Sequence, residues 1–268
     1  MDGAAWFCLR RHAKVVHVES NAGYDELSRL FSLELNASVI VKEIATAGPE
    51  LEPYLAATRG LRVLRYADPV ECVFTFLCTA NNHVARIATM VRQLASYGPR
   101  LDDHPTHRRF PTLECLAALS ETDLRSAGFG YRGASMPKVA VQLLHRGGAR
   151  YVEDLRGSSF AVARAELMSL PSIGPKLADC IALFGLGFRV SVPVDTHLWK
   201  AATRLYFPDY AGTALTQQKY EEFASFFSNR FGPNAGWAHQ ALFFDSLVNW
   251  RSRKNRPNAS ACPGSACE

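Results

Sequence analysis

The six residues Leu170-Pro171-Ser172-Ile173-Gly174-Pro175 constrain the chain more than any other stretch. Pro171 ends the helix before it, because proline lacks an amide proton and disfavours helical backbone in the preceding residue. Gly174 tolerates positive φ and so suits a tight turn. Pro175 suits the first position of a new helix, where its missing donor is no loss. Beyond it Leu177, Ile181 and Phe184 recur at helical spacing and define one apolar face. The local structure is therefore a helical hairpin. A plain hairpin of this kind is common in helical bundles, so the turn by itself fixes local structure and not chemistry.

The rest of the chain supplies helices to pack on that hairpin. Asn21 is placed to cap a helix carrying Leu27, Leu30 and Phe31. Asp68-Pro69 reads as an N-cap followed by proline at the first helical position, with Val70, Val73, Phe74 and Leu77 on one stripe. Val84, Ile87, Val91 and Leu94 predict a second helix, stopped by Gly98-Pro99. Further helices are predicted near 112–127, 134–146, 159–169, 176–186, 196–206, 216–230 and 235–249. Residues 5–19 alternate weakly and predict one β-hairpin, and few segments after residue 20 read as strands. The predicted fold is mainly α, a bundle-like helical body from about 40 to 250 behind a small N-terminal β-hairpin. The expected division is 1–45 for the N-terminal part, 46–250 for the helical body with its hairpin at 170–176, and 251–268 for a disordered basic tail.

Composition excludes several classes. An apolar fraction of 48% against 21% charged residues is too high for a disordered chain. No apolar run approaches the roughly 20 residues of a membrane span, and Ala4–Leu9 is too short for a secretory signal core. The seven scattered cysteines read as reduced thiols of an intracellular protein. Net charge is +5, but residues 81–150 hold ten basic and five acidic residues. A basic middle suits a polyanion such as nucleic acid, although a solvated surface with uneven charge fits the same numbers.

The chemistry is concentrated at the hairpin. The turn presents backbone N–H groups at a helix N-terminus, a seat for a phosphate and for a sequence-independent grip on a DNA backbone. Lys176 lies in the first turn of the second helix, where the helix dipole opposes a cation. With partial burial that placement favours the neutral amine, which is a nucleophile able to form a Schiff base. Nineteen residues on, Pro193-Val194-Asp195-Thr196-His197 opens another helix, with Asp195 at its cap. An aspartate there is ordinarily a cap and nothing more. Near a lysine it can also stabilise positive charge developing on a sugar.

LPSIGPKLADC followed by PVDTH resembles the signature of the helix-hairpin-helix DNA glycosylase (HhH-GPD) superfamily. The resemblance is closest to the eukaryote-type 8-oxoguanine DNA glycosylase/AP lyases. It runs from about residue 60 to 245, through DPVECVFTFLCTANNHVARI, GFGYRG and FGPNAGWAHQALF. It implies a mainly α fold of two helical subdomains flanking a cleft, with 1–45 a small α+β remnant of the family's N-terminal antiparallel-sheet domain. It implies further that Lys176 attacks the anomeric carbon of the damaged nucleotide and that Asp195 orients the lysine and stabilises the oxocarbenium-like sugar. Because the target atom lies inside the duplex, the nucleotide is flipped out. The family pattern then assigns Asn81, its neighbour Asn82, Arg86 and Arg132 to the gap and the orphan cytosine, Tyr131 to a wedge beside the lesion, and Gly174 and His197 to the phosphates. Cys180 and Phe243 would face the flipped base, with His239 at its Watson–Crick edge. Each has a plainer reading: a local cap for Asn81 and Asn82, packing for Tyr131, simple burial for Cys180 and Phe243, and a helix residue satisfied by its neighbours for His197.

Departures from the pattern carry their own expectations. Only about 40 residues precede the helical region where the family has a full sheet domain, so the chain is expected to be truncated there and to lack the carbonyl that recognises N7 of 8-oxoguanine. His239, followed by Gln240, stands where the family has glutamine, and His83 replaces a third asparagine. Only Cys262 and Cys267 follow the last helix, so no iron–sulfur cluster, metal or other cofactor is expected. The expected activity is base-excision repair: removal of 8-oxoguanine opposite cytosine from duplex DNA through a lysine Schiff base and β-elimination, by a monomer in the nucleus or the mitochondrion that has no membrane association. The alternatives are a glycosylase of altered lesion range and a catalytically impaired DNA-binding module.

Overall fold

The structure is a computed structural model of the chain and describes residues 7–12, 15–101 and 104–254. It opens with an antiparallel hairpin, β1 (Phe7–His12) and β2 (Val15–Ser20), in which Leu9 pairs with Val18. Both of those side chains are exposed. Helix α1 (Tyr24–Leu30) follows. The cap residue is Gly23, which makes no side-chain cap bond, and not Asn21 as the sequence suggests. The reason is position: a cap must stand directly before the first helical residue, and Asn21 lies two residues too early. Asn36 does cap the next helix, α2 (Ala37–Ala47), accepting from the amides of Ser38 and Val39. This helix runs across residue 45, and its Ile40 and Ile44 are buried. A short α3 (Glu52–Ala57) leads to α4 (Pro69–Leu77), where Asp68 accepts from the Val70 amide at 2.8 Å and Val70, Val73, Phe74 and Leu77 are all buried.

Helix α5 (Val84–Ala95) is amphipathic along the stripe read in the sequence: Leu94 is buried and Ile87 and Val91 pack against the core, joined by buried Met90, while Val84 in the first turn is exposed. After it comes a pair of strands absent from the sequence reading, β3 (Arg100–Leu101) and β4 (His104–Arg108). Gly98 is required here by proximity, since a Cβ on it would run into the carbonyl oxygen of Arg109. The helix expected over 112–127 is broken in two, α6 (Leu113–Ala118) and α7 (Glu121–Leu124). Thr112 and Ser120 each cap a start, accepting from the amides of Cys115 and Asp123. Such hydroxyls bind nearby amides in extended backbone and so compete with helix continuation. A π-helical turn over Arg125–Phe129 ends in Gly128 and Gly130 at positive φ, and α8 (Arg132–His145) begins there. The remaining helices are α9 (Ala149–Asp154), α10 (Phe160–Met168), α11 (Pro175–Ile181), α12 (Thr196–Tyr206), α13 (Gln217–Phe231) and α14 (Ala235–Lys254). Helix α14 extends into the basic segment expected to be disordered. Residues 255–268, with Cys262 and Cys267, lie outside the described residues.

Two apolar cores form. The first gathers Val73, Phe74, Leu94, Leu116, Phe129, Val139, Leu143, Leu167, Leu177 and Ile181. The second gathers Ile40, Ile44, Leu51, Leu183, Val194, Leu198, Trp199, Phe223, Phe227 and Trp237. Helix α11 and the π-helical turn continuing it, Ala182–Leu186, contribute to both, Ile181 to the first and Leu183 to the second. The seam is tight: a Cβ on Gly236 of α14 would stand 2.6 Å from Leu183 Cδ1 and 2.8 Å from the Arg189 carbonyl oxygen. No described helix is long and apolar enough to cross a membrane.

Candidate active site

The hairpin turn between α10 and α11 differs from its sequence reading in one respect. Gly174 is extended, with φ −90° and ψ −178°, and the residue at positive φ is Ser172, at 62°. Ser172 is held there through its hydroxyl, 2.7 Å from that of Ser135 on α8, while the Ile173 amide closes the turn on the Leu170 carbonyl. A Cβ on Gly174 would meet no atom of the chain within 4 Å, so packing does not require a glycine at that position. The glycine leaves the start of α11 uncovered, as close approach by another backbone demands.

Lys176, in the first turn of α11, is half-buried. Its Nζ stands 5.7 Å from the centre of the Phe76 ring, and Phe76 stacks on Phe184 at 5.6 Å. Cys180, one turn on, is buried on the same helix as Lys176, whose charge acts on its thiol. Burial pushes that thiol up to about 11 against the opposing pull of the lysine, so it is neutral at pH 7. Asp195 caps α12 through Oδ1 alone, accepting from the His197 amide at 3.0 Å and the Leu198 amide at 2.8 Å. Among the described residues no hydrogen bond reaches its Oδ2. The charges of Lys176 and Asp195 both act on Cys180 and on His239, which places these four side chains in one locality.

His239 is 3% exposed, stacks on Phe243 with ring centres 6.0 Å apart, and has its Nδ1 3.0 Å from Gln240 Nε2. Burial lowers its pKa to about 4, outweighing the opposing effect of Asp195, so the imidazole is neutral in the folded protein at pH 7. Between about pH 6.5 and 4 only the unfolded chain takes up this proton, so stability from this group falls as pH falls through that window. Glu71 acts oppositely, since burial raises its carboxyl to about 7. The comparison that isolates His239 is therefore wild type against His239→Gln in denaturant melts at pH 7 and pH 4.5. The wild type is expected to lose a few kcal/mol more than the variant on acidification, and equal losses would remove the assignment.

A second group of residues collects where α4 ends and α8 begins. Asn81, exposed, sits at φ 44° in the loop after α4. Tyr131, 54% exposed, donates its hydroxyl to the Ala80 carbonyl at 3.1 Å. The Arg132 guanidinium lies 4.5 Å from the Tyr131 ring centre and binds the Ala80 and Asn81 carbonyls. Arg86, exposed on α5, reaches the Gly128 carbonyl at 3.0 Å. Asn82 is turned inward: its amide nitrogen bonds the Cys78 carbonyl at 3.0 Å and its oxygen accepts from the His83 amide. Arg132 is also turned inward, at 4% exposed. Asn81, Arg86 and Tyr131 thus form the open face, with Asn82 and Arg132 behind it. His197 is half-buried in the first turn of α12.

Two features escape the sequence reading. Phe76 and Phe184 form the wall beside Lys176, and nothing in their spacing distinguishes them from core residues. Asp179 is 1% exposed beside Cys180. It is a charged residue within the apolar run of α11, which is a legible anomaly.

Residues 74–225 match the HhH-GPD superfamily base excision DNA repair protein family. The chain is similar to the N-glycosylase/DNA lyase OGG1 of Arabidopsis thaliana, 37% identical over 252 residues that make up 92% of this chain and 67% of the relative. It is 29% identical to the N-glycosylase/DNA lyase of Saccharomyces cerevisiae over 69% of this chain and 56% of the relative. The chain thus spans two thirds or less of the length of these relatives. In fold it is similar to Clostridium acetobutylicum 8-oxoguanine glycosylase/lyase, solved with double-stranded DNA containing cytosine opposite 8-oxoguanine. The TM-score is 0.78 at 24% identity, over 91% of this chain and 82% of the other.

Proposed function

The chain belongs to the HhH-GPD superfamily of base excision DNA repair proteins and, within it, to the N-glycosylase/DNA lyases, and from that premise we propose that it excises 8-oxoguanine opposite cytosine from duplex DNA and then nicks the strand. The observation that carries this reading is the placement of Lys176. It is an amine at the start of α11, half-buried against Phe76, one helical turn from a neutral thiol, with Asp195 in the same charge locality.

In this reading Lys176 Nζ gives its lone pair to the anomeric carbon as the bond from that carbon to the base breaks. The electron pair of the broken bond leaves with the base, which takes up a proton. Asp195 stabilises the positive charge that develops on the sugar. Loss of a proton from the new ammonium and opening of the sugar ring yield the imine. Removal of a C2′ proton then expels the 3′ phosphate and cuts the strand. Cys180 and Phe243 would flank the flipped base and His239 would meet its edge. Asn81, Arg86 and Tyr131 would occupy the space it leaves and the base opposite. Arg132 would reach that base only by releasing the Ala80 and Asn81 carbonyls. Gly174 and His197 would lie along the phosphates.

Borohydride reduction of a reaction with a duplex carrying 8-oxoguanine opposite cytosine is the direct test. A covalent protein–DNA adduct is the expected outcome, and its absence with every oxidised purine tried would reject the mechanism. A wider lesion range is a second reading, favoured by His239. A neutral imidazole offers one donor and one acceptor on opposite sides of a ring, whereas an amide offers both on one edge. A panel of duplexes with different damaged purines separates the two readings by relative single-turnover rates.

A further inference from the structure

Asp179 lies on α11, three residues past Lys176, and is buried among helices of both cores. Its Oδ1 accepts from Arg164 Nε at 2.9 Å. Its Oδ2 accepts from the Tyr220 hydroxyl at 2.6 Å. Its backbone carbonyl accepts from the Ser191 hydroxyl at 2.9 Å. The Tyr220 oxygen, while donating to Asp179, accepts from the Val194 amide at 3.3 Å. Arg164 belongs to α10, the first helix of the hairpin, and also bonds Glu221 on α13 at 2.8 Å.

Ser191 and Val194 belong to the segment that delivers Asp195 to the head of α12. Both are tied to Asp179, one through its carbonyl and one through Tyr220. Asp179 is in turn less than one helical turn from Lys176. The path from the reacting amine to its carboxylate partner therefore runs through one buried acid and one buried phenol, across the seam between the two cores. A buried ion pair such as Asp179–Arg164 is a poor way to gain stability, because desolvation offsets the attraction. Its directional bonds fix geometry instead.

We propose that Asp179 and Tyr220 are positioning residues that hold the Asp195 carboxylate in register with Lys176 Nζ. The inference rests on the reading of Lys176 and Asp195 as the reacting pair. Neither Asp179 nor Tyr220 touches the DNA in this account; both act through the segment 191–194.

The test exploits the two reactions that share Lys176. Removing a base requires amine and carboxylate in register. Forming an imine with the aldehyde of a preformed abasic site requires the amine alone. Tyr220→Phe deletes one oxygen, and with it both bonds, while leaving the ring in its core. Misplacement of reacting groups by about 1 Å can cost roughly 100-fold in rate, so Tyr220→Phe is expected to slow single-turnover base removal by about 10- to 100-fold. Cleavage of a preformed abasic duplex and duplex affinity should stay within about 3-fold of wild type. Asp179→Asn should show the same selective loss, so a folding defect in one variant leaves the other to decide. Equal loss in both reactions would make the network merely structural, and no loss in either would make it idle; both outcomes overturn the proposal. Failure of the wild type to form an adduct at all would instead overturn the reading of Lys176.

Discussion

Lys176→Gln is expected to abolish both the borohydride-trapped adduct and strand cleavage while the protein still folds and binds duplex DNA. An amide nitrogen has no available lone pair, so the covalent route closes outright, and losses of more than about 10³-fold are usual when a covalent nucleophile is removed. The change in stability should be small. The variant gives up a cation over the Phe76 ring, worth about 0.5–1 kcal/mol. It also relieves a cation at the positive end of α11, worth about 0.3–1 kcal/mol in the other direction. Single-turnover assays on a lesion duplex, with thermal melts beside them, check both halves. A surviving adduct would mean that another amine does the chemistry.

The second large effect is expected at Asp195, where chemistry and capping separate cleanly. Asparagine caps a helix about as well as aspartate, so Asp195→Asn should keep the bonds to the His197 and Leu198 amides and leave stability within about 0.5 kcal/mol of wild type. It removes the negative charge. Loss of one preorganised electrostatic contact in a site of this kind costs about 10²–10³-fold, and base removal should slow by that much with duplex affinity retained. Asp195→Ala should show the same slowing and lose about 1 kcal/mol of stability besides. Full activity in Asp195→Asn would reduce Asp195 to a structural cap.

Much of this arrangement is written plainly in the chain. Asp68-Pro69 and Pro175 mark helix starts by a local rule that tertiary packing does not disturb, and α12 begins where Asp195 says it should. The residues that escape are those whose behaviour is decided from a distance. Ser172 carries the positive φ because Ser135, on another helix, holds its hydroxyl. Ser120 splits a helix that periodicity alone would continue, since its side chain competes for a backbone amide. Asn82, in the loop after α4, and Arg132, at the head of α8, are assigned by the family pattern to the open gap, yet the carbonyls at the end of α4 and in the loop after it draw both inward. The link from Asp179 through Tyr220 joins residues 41 positions apart, and no pattern within either helix points to the other.

The two cores also differ in how they must be assembled during synthesis. The first draws on one unbroken stretch, from Val70 to Leu186, and is complete once that stretch has left the ribosome. The second joins the early segment Ile40–Val63 to residues from Leu183 onward. Its first apolar side chains must wait uncovered while the whole intervening half is translated and folds. Lys176 therefore enters a nearly finished half-protein, whereas Asp195 depends on the half that closes last.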